Sequence, residues 1–377
     1  MKVSFILQDM FARGAQYVTA RMVEGFIKRG FKVDLIVSQY HNKFLSEGKT
    51  NFFSVSGRAN WITLKHLHAR DNVGEIRSYL KTTDSLAVIS MSTGYTHALR
   101  MATIGLRKRP KLVHVEHFMA GYDDIGRRFP STVKMSLKAF LRRWYWSGFD
   151  RIFVITQEGV NDFLRMNPWY VRDRICVVNN PAIGEGFWSC VTAGASHEWL
   201  LEKDSEWKTF VAADAFVESK GHRYLIEAIK ILAQRGEKIR AIIFGQGDLE
   251  KEYRSAIAES NLAQYISIGG YVKNVPAELA MAHGYVKTSL VEPFGISLVE
   301  GMAAGCKVVS FDCPFGPREI LDNGKYGRLV PVGDVQSLAT AISLAAAEER
   351  INPPEEAWRR YTVDVTVEKY IAGLGLK

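Results

Sequence analysis

The densest cluster of residues able to do chemistry lies at 291–305, which reads VEPFGISLVEGMAAG. Glu292 and Glu300 are separated by seven residues, and Pro293, Phe294, Gly295 and Ile296 stand between them. A proline disfavours helical geometry at the residue before it, so Glu292 belongs to a loop. The run from Gly295 reads as a helix that carries Glu300 in its second turn. Unpaired amide donors at its start, around 294–297, suit a phosphate or another oxyanion. Two carboxylates on either side of such an anion would grip the hydroxyls of a polyol. The same spacing also fits a plain surface helix, with Glu300 solvated and Gly295 serving only the turn.

Other candidates lie elsewhere in the chain. Lys220 precedes Gly221 and an amphipathic helical pattern, where its charge would stabilise a diphosphate; read alone, such a lysine is more often solvent-facing. Gly245 and Gly247 in FGQGDL follow an apolar run and permit a tight turn toward a ligand, although G-Q-G is not a complete dinucleotide fingerprint. In the first half, Gly14 and Ala15 of MFARGAQ minimise steric exclusion after the first apolar run, and His117 reaches the loop that follows 112–115. His66 and His68 have no carboxylate or cysteine to complete a metal set, so no metal is assigned.

The elements that must position these residues follow from hydrophobic runs. In the first half, short apolar or β-branched runs at 3–7, 33–37, 86–89, 112–115, 152–155 and 175–178 alternate with helical patterns. That alternation predicts an α/β fold with a parallel sheet covered on both faces. After NNPAIGEGF the pattern becomes irregular, and a second α/β series begins, with runs at 209–213, 239–244, 266–268, 286–288, 308–311 and 328–330. The expected organisation is a first Rossmann-like domain at 1–190, a linker at 191–207, a second Rossmann-like domain at 208–353, and a closing helix within 354–377 that packs back on the first domain.

With 377 residues, 47% hydrophobic and 24% charged, the chain falls with globular proteins that bury a core. Its formal net charge of +9 favours anionic partners without choosing among them. The four cysteines lack CxxC spacing, which fits a reducing, cytoplasmic setting. The opening MKVSFILQD reads as a first strand rather than a leader, and no apolar stretch is long enough to span a membrane. Arg127, Arg128, Lys134, Lys138, Arg142 and Arg143 interleave with Phe129, Trp144, Tyr145 and Trp146. That basic aromatic run fits an anionic membrane surface contacted peripherally, and fits equally an ordinary helix with buried rings. Nothing resembles a nucleic-acid recognition helix or a stacking platform.

The segment EPFGISLVEGMAAG resembles the donor-site signature of the retaining GT-B glycosyltransferases, in particular nucleotide-sugar glycosyltransferase family 4 (glycosyl transferases group 1). DCPFGPREI at 312–320, GKYGRLVPVGD at 324–334 and Lys220-Gly221 are similar to the same family. The resemblance implies a GT-B architecture, two Rossmann-like domains facing across a cleft. It implies that Glu292 and His117 hold the transferred sugar, that Glu300 binds the nucleotide ribose, and that Lys220 binds the diphosphate. Phe294, Gly295 and Ile296 match the loop that approaches sugar and phosphates, Gly14 the small-residue loop of the first domain, and Asn180-Pro181 its closing segment. The sequence departs from the family five residues before Lys220: Ala215 stands where an arginine is usual, with Asp214 where glycine is common. Arg318 and Lys287 are the candidates to replace that charge.

The implied reaction is transfer of a hexosyl group, with retention, from a nucleotide-diphosphate sugar, UDP-linked for preference, to a hydroxyl of a glycan or lipid-linked saccharide. No other cofactor is expected. A non-catalytic glycan or nucleotide-sugar binding protein remains an alternative, as does a GT-B-like phosphorylase or a sugar-nucleotide epimerase.

Overall fold

A computed structural model describes residues 1–10, 14–38, 55, 57–117, 143–202 and 205–376. The chain divides into two compact units, 1–181 with 363–377, and 182–362.

The first unit is built on seven strands: β1 (Lys2–Ile6), β2 (Lys32–Ser38), β3 (Asn60–Leu64), β4 (Ala87–Ser90), β5 (Lys111–Glu116), β6 (Arg151–Val154) and β7 (Ile175–Val177). They are hydrogen-bonded in the order β3-β2-β1-β4-β5-β6-β7, and every neighbouring pair is parallel. A parallel sheet needs cover on both faces, which is why its central strands read as unbroken apolar runs. One face packs Ile6, Val88, Leu112 and Ile152 against Tyr95, Trp146 and Phe149. On the other, Phe26 of the helix Gly14–Lys28 meets Phe5, Phe31 and Tyr370 edge to face. Tyr370 also meets Phe153 and lies on the helix Val363–Leu374. Each ring so buried stabilises the unit by roughly 1.5–3 kcal/mol. Gly25 makes the helix crossing possible, because a Cβ there would run into Val363 and Val367.

The second unit holds β8 (Lys208–Ala213), β9 (Ile239–Phe244), β10 (Ile266–Gly270), β11 (Gly284–Lys287), β12 (Lys307–Phe311) and β13 (Arg328–Val330). Their order is β10-β9-β8-β11-β12-β13, again all parallel. In each unit the chain starts at a central strand, winds outward one way, then returns to wind the other way. The direction reverses between β1 and β4 in the first unit and between β8 and β11 in the second. Such switch points open a crevice beyond the carboxyl ends of the strands, the usual ligand position in doubly wound folds.

Three details differ from the sequence reading. Strand β3 lacks an apolar run because it is an edge strand with most residues open to solvent. The units divide at 181/182 and 362/363 rather than at 190 and 354. The segment 191–207 is not a free linker. Its Ser196 backbone N–H and hydroxyl donate to Glu278 at 2.8 and 2.6 Å, His197 Nε2 and Ser267 Oγ are 2.8 Å apart, and Glu202 pairs with the buried Arg240 at 2.7 Å. These polar ties, with Leu200 buried beneath them, fasten the segment to the second unit.

The basic aromatic run lies mostly outside the described residues. Its described end carries Tyr145 and Trp146 inside the core, and Arg100 covers the ring of Trp144 at 4.2 Å. Among the described residues, no helix is long and apolar enough to cross a membrane.

Candidate functional site

The functional candidates of the second unit collect where its topology predicts, beyond β8 and β11. After β8 the chain runs through Asp214 to the turn Glu218–Lys220; after β11 it runs through Thr288 and Ser289 to Glu292. Backbone hydrogen bonds tie the two loops together. Leu290 N–H donates to the Ser219 carbonyl at 2.9 Å, and the Thr288 hydroxyl donates to the Lys220 carbonyl at 3.0 Å. Gly221, at φ 63°, turns the chain from Lys220 into the helix His222–Gln234, and a Cβ there would strike the Thr288 carbonyl oxygen. Only glycine lets the two loops approach this closely.

Four charged side chains meet at this point. Lys220 Nζ lies 2.7 Å from Glu292 Oε2 and 3.6 Å from Asp214. Lys287, at the end of β11, lies 2.8 Å from Glu292 Oε2 and donates to both Asp214 oxygens at 2.9 and 2.8 Å. The Ser289 hydroxyl donates to Glu292 Oε2 at 3.2 Å, and the Glu292 carbonyl accepts from Gly316 N–H at 2.9 Å. Two ammonium groups and two carboxylates balance in charge. Burial pushes the Glu292 carboxyl up, but Lys287 and Lys220 outweigh it and hold the group well below the usual carboxylate range. Burial disfavours the charged form of Lys287, yet Asp214 and Glu292 keep it protonated, well above its ordinary value.

The rest of the glutamate motif takes the form its sequence suggested. Gly295 precedes the helix Ile296–Ala303, and Glu300 lies buried in the second turn. Phe294 is buried against Tyr361. Gly245 follows β9 at φ 150°, and a Cβ there would meet the Asp214 carbonyl oxygen, so its bareness brings the β9 loop against the residue that holds Lys287. Arg318 is largely exposed and paired with Asp312. Sequence reasoning named Lys287 as one possible replacement charge but did not foresee Asp214 as its counter-ion. The available signal was a lysine ending an apolar strand.

In the first unit, Gly14 begins the helix that follows β1, and His117 follows β5. His117 is buried, its Nε2 has no hydrogen-bond partner among the described residues, and burial lowers its pKa to about 3. Its neighbour His114 is fixed between Thr96 Oγ1 at 2.8 Å and Glu116 at 3.2 Å. An imidazole held neutral can position a sugar hydroxyl without adding charge. Among the described residues, no group of three His, Cys, Asp or Glu side chains is placed to hold a metal ion.

His222, beside Gly221, is buried against Phe216 and Tyr253, and burial lowers its pKa to about 4, with Asp214 offsetting only part. The unfolded chain takes up this proton near pH 6.5, so the group's contribution is complete above 6.5 and is lost as pH falls toward 4, by up to about 1.4 kcal/mol per pH unit. Urea unfolding at pH 7 and pH 5 is expected to differ by about 2 kcal/mol from this source, and His222→Leu should remove that part of the difference. An undiminished pH dependence in the variant would place the proton uptake elsewhere.

Two doubly wound parallel units in one chain, the second with its charged cluster at the switch point, are the parts of the GT-B class of fold. Comparison with known proteins agrees. The Glycosyltransferase Family 4 profile matches residues 12–182, and the Glycosyl transferases group 1 profile matches residues 197–363. The chain is 23% identical over 236 residues to the poly(glycerol-phosphate) alpha-glucosyltransferase of Bacillus subtilis, covering 61% of this chain and 31% of that protein. It is 33% identical over 158 residues to the phosphatidyl-myo-inositol mannosyltransferase of Mycobacterium leprae, covering 40% of this chain and 41% of that protein. The matches therefore span about a third to two fifths of the length of these relatives. Anabaena HepE, solved in complex with UDP, superposes over 100% of both chains with a TM-score of 0.76 at 17% identity, a likeness of fold. The chain belongs to glycosyltransferase family 4, the glycosyl transferases group 1.

Proposed function

We propose that this chain is a retaining hexosyltransferase that uses a nucleotide-diphosphate sugar and glycosylates a hydroxyl of a glycan or lipid-linked saccharide. The observation that carries the reading is the Lys220–Glu292 pair, 2.7 Å apart beyond the ends of β8 and β11. It sets a cation suited to a diphosphate beside a carboxylate suited to sugar hydroxyls, at the start of a helix whose second turn carries Glu300. In this reading Lys220 and the amides at Gly295 and Ile296 stabilise the departing diphosphate, Glu292 and His117 position the sugar, and Glu300 takes the ribose. Gly14, Phe294 and Gly245 give the chain close approach to the donor. The bond from the anomeric carbon to the diphosphate oxygen breaks, and the acceptor oxygen bonds to that carbon on the same face. The acceptor's proton passes to the leaving diphosphate.

UDP is the nucleotide this reading assigns; the UDP complex of HepE supports it. The relatives' names, a glucosyltransferase acting on poly(glycerol-phosphate) and a mannosyltransferase acting on phosphatidyl-myo-inositol, support hexosyl transfer to an anionic or lipid-linked acceptor. The net charge of +9 and the basic run 127–143 support peripheral contact with an anionic membrane face, and the four cysteines without CxxC spacing support a cytoplasmic setting.

The test is a mass-resolved screen of UDP-, GDP- and ADP-sugars against short glycans and lipid-linked acceptors, read as nucleotide release and product mass. UDP release coupled to a hexose-sized mass gain is the expected result. Binding without release would indicate a sugar-binding protein. Phosphate-dependent release would indicate a phosphorylase, and donor isomerisation without acceptor an epimerase.

A further inference from the structure

The two lysines that face Glu292 are not equivalent. An ammonium group has three donors. Those of Lys287 are taken by the two Asp214 oxygens and Glu292 Oε2, with Ser297 Oγ a further 3.3 Å neighbour that itself accepts from the Tyr285 hydroxyl at 2.7 Å. Lys287 is 2% exposed, so reaching a ligand would require it to abandon Asp214 and the buried Glu292. Lys220 is different. Its side chain is 22% exposed, and among the described residues its ion-pair contacts are Glu292 Oε2 at 2.7 Å and Asp214 at 3.6 Å. It has donors left for an incoming anion.

This asymmetry decides what happens to Glu292 when an anion draws Lys220 away. Without Lys287, the buried Glu292 and the half-buried Asp214 would be left as neighbouring carboxylates with no cation, and one would take up a proton. We propose that Lys287 is the fixed counter-ion of the site, a positioning residue that keeps Glu292 ionised and oriented while Lys220 engages the ligand's diphosphate. Asp214 belongs to the same device, because it holds Lys287 in place through two oxygens. Lys287 therefore does not replace the family's arginine as a phosphate ligand. It makes a single mobile lysine sufficient. The assignment rests on the donor reading above.

Two variants test it. Lys287→Met alone leaves Asp214 unpaired and endangers folding, so the informative chain is the double variant Asp214→Asn with Lys287→Met, which removes one charge of each sign. The readouts are thermal unfolding, the Kd for UDP, kcat and KM for transfer, and the acidic limb of the kcat profile. That limb reports Glu292, which is faced by Lys220, Lys287, Asp214, Tyr285 and Cys313. The double variant should fold and bind UDP within about threefold of the wild type, while kcat falls by about 100-fold and the acidic limb moves up by at least about one pH unit. Lys220→Ala, measured beside it, should instead lose UDP affinity.

If the double variant regains full kcat with an unmoved acidic limb, Lys287 is only structural and the proposal fails. It fails also if UDP affinity falls as far as in Lys220→Ala, because Lys287 would then be a ligand contact. In both cases a wild-type chain that binds UDP and transfers sugar leaves the donor reading standing. A wild-type chain that does neither overturns both.

Discussion

Glu292→Gln is expected to lower kcat/KM for sugar transfer by about 100- to 1,000-fold, the scale seen when one preorganised polar contact to a reacting group is removed. The same change should affect folding much less. Removing one member of a buried ion pair is costly chiefly because the partner is left uncompensated. Here Lys287 keeps both oxygens of Asp214, and the glutamine amide oxygen still accepts from Lys220 or Lys287. A Tm within a few degrees of the wild type, alongside the loss of turnover, separates a functional carboxylate from a structural one. The sign of the nucleotide effect is a second check. Losing a negative charge takes the four-group cluster from balanced to net positive and frees Lys220, so UDP should bind at least as tightly as to the wild type. Undiminished turnover would remove Glu292 from the chemistry.

Those residues were accessible to sequence reasoning because their surroundings leave a pattern. A parallel strand buried on both faces must be a short apolar run, and this is why β8, β9, β11 and β12 could be placed from composition alone. The bend at Pro293 and the helix after Gly295 follow from local backbone preferences, and both appear in the fold. Edge strand β3 escaped because burial is what writes the pattern, and it has little. The domain boundary was misplaced for a related reason. The segment 191–207 is attached to the second unit largely through polar contacts such as Ser196 to Glu278, and polar attachment looks like linker in a one-dimensional reading.

Asp214 and Lys287 show a different limit. They are 73 residues apart in sequence, and neither is informative alone. Asp214 reads as a polar residue after a strand, and Lys287 as an odd lysine in an apolar run. Their meaning appears only when the sheet order makes β8 and β11 neighbours, because the crossover that separates them in sequence joins their carboxyl ends in space. A missing arginine at Ala215 suggests lost charge when read along the chain. In the fold a charge is present but committed: Lys287 is paired with Asp214 and Glu292, while Lys220 is the more exposed lysine of the four-group cluster.

Lys220→Ala therefore carries the second large expected effect, with the opposite sign on nucleotide binding. A hydrogen bond to a charged group is worth about 1.5–3 kcal/mol, so loss of this contact should weaken UDP binding by roughly 10- to 100-fold. The remaining trio of Lys287, Asp214 and Glu292 has a net negative charge, which adds repulsion to the lost attraction. Transfer should fall further than binding, because the leaving diphosphate gains charge as its bond to the sugar breaks and, in the proposed reading, Lys220 meets that charge. Stability should change little, since the side chain is partly exposed and Lys287 still serves both carboxylates. Lys220→Arg should recover part of the affinity but less of the turnover, because a planar guanidinium retains the charge without reproducing the compact ammonium geometry at Glu292. Calorimetry with UDP orders the chains as Glu292→Gln, wild type and Lys220→Ala, from tightest to weakest. An alanine variant that binds UDP like the wild type would show that the diphosphate is held somewhere other than at this pair of loops.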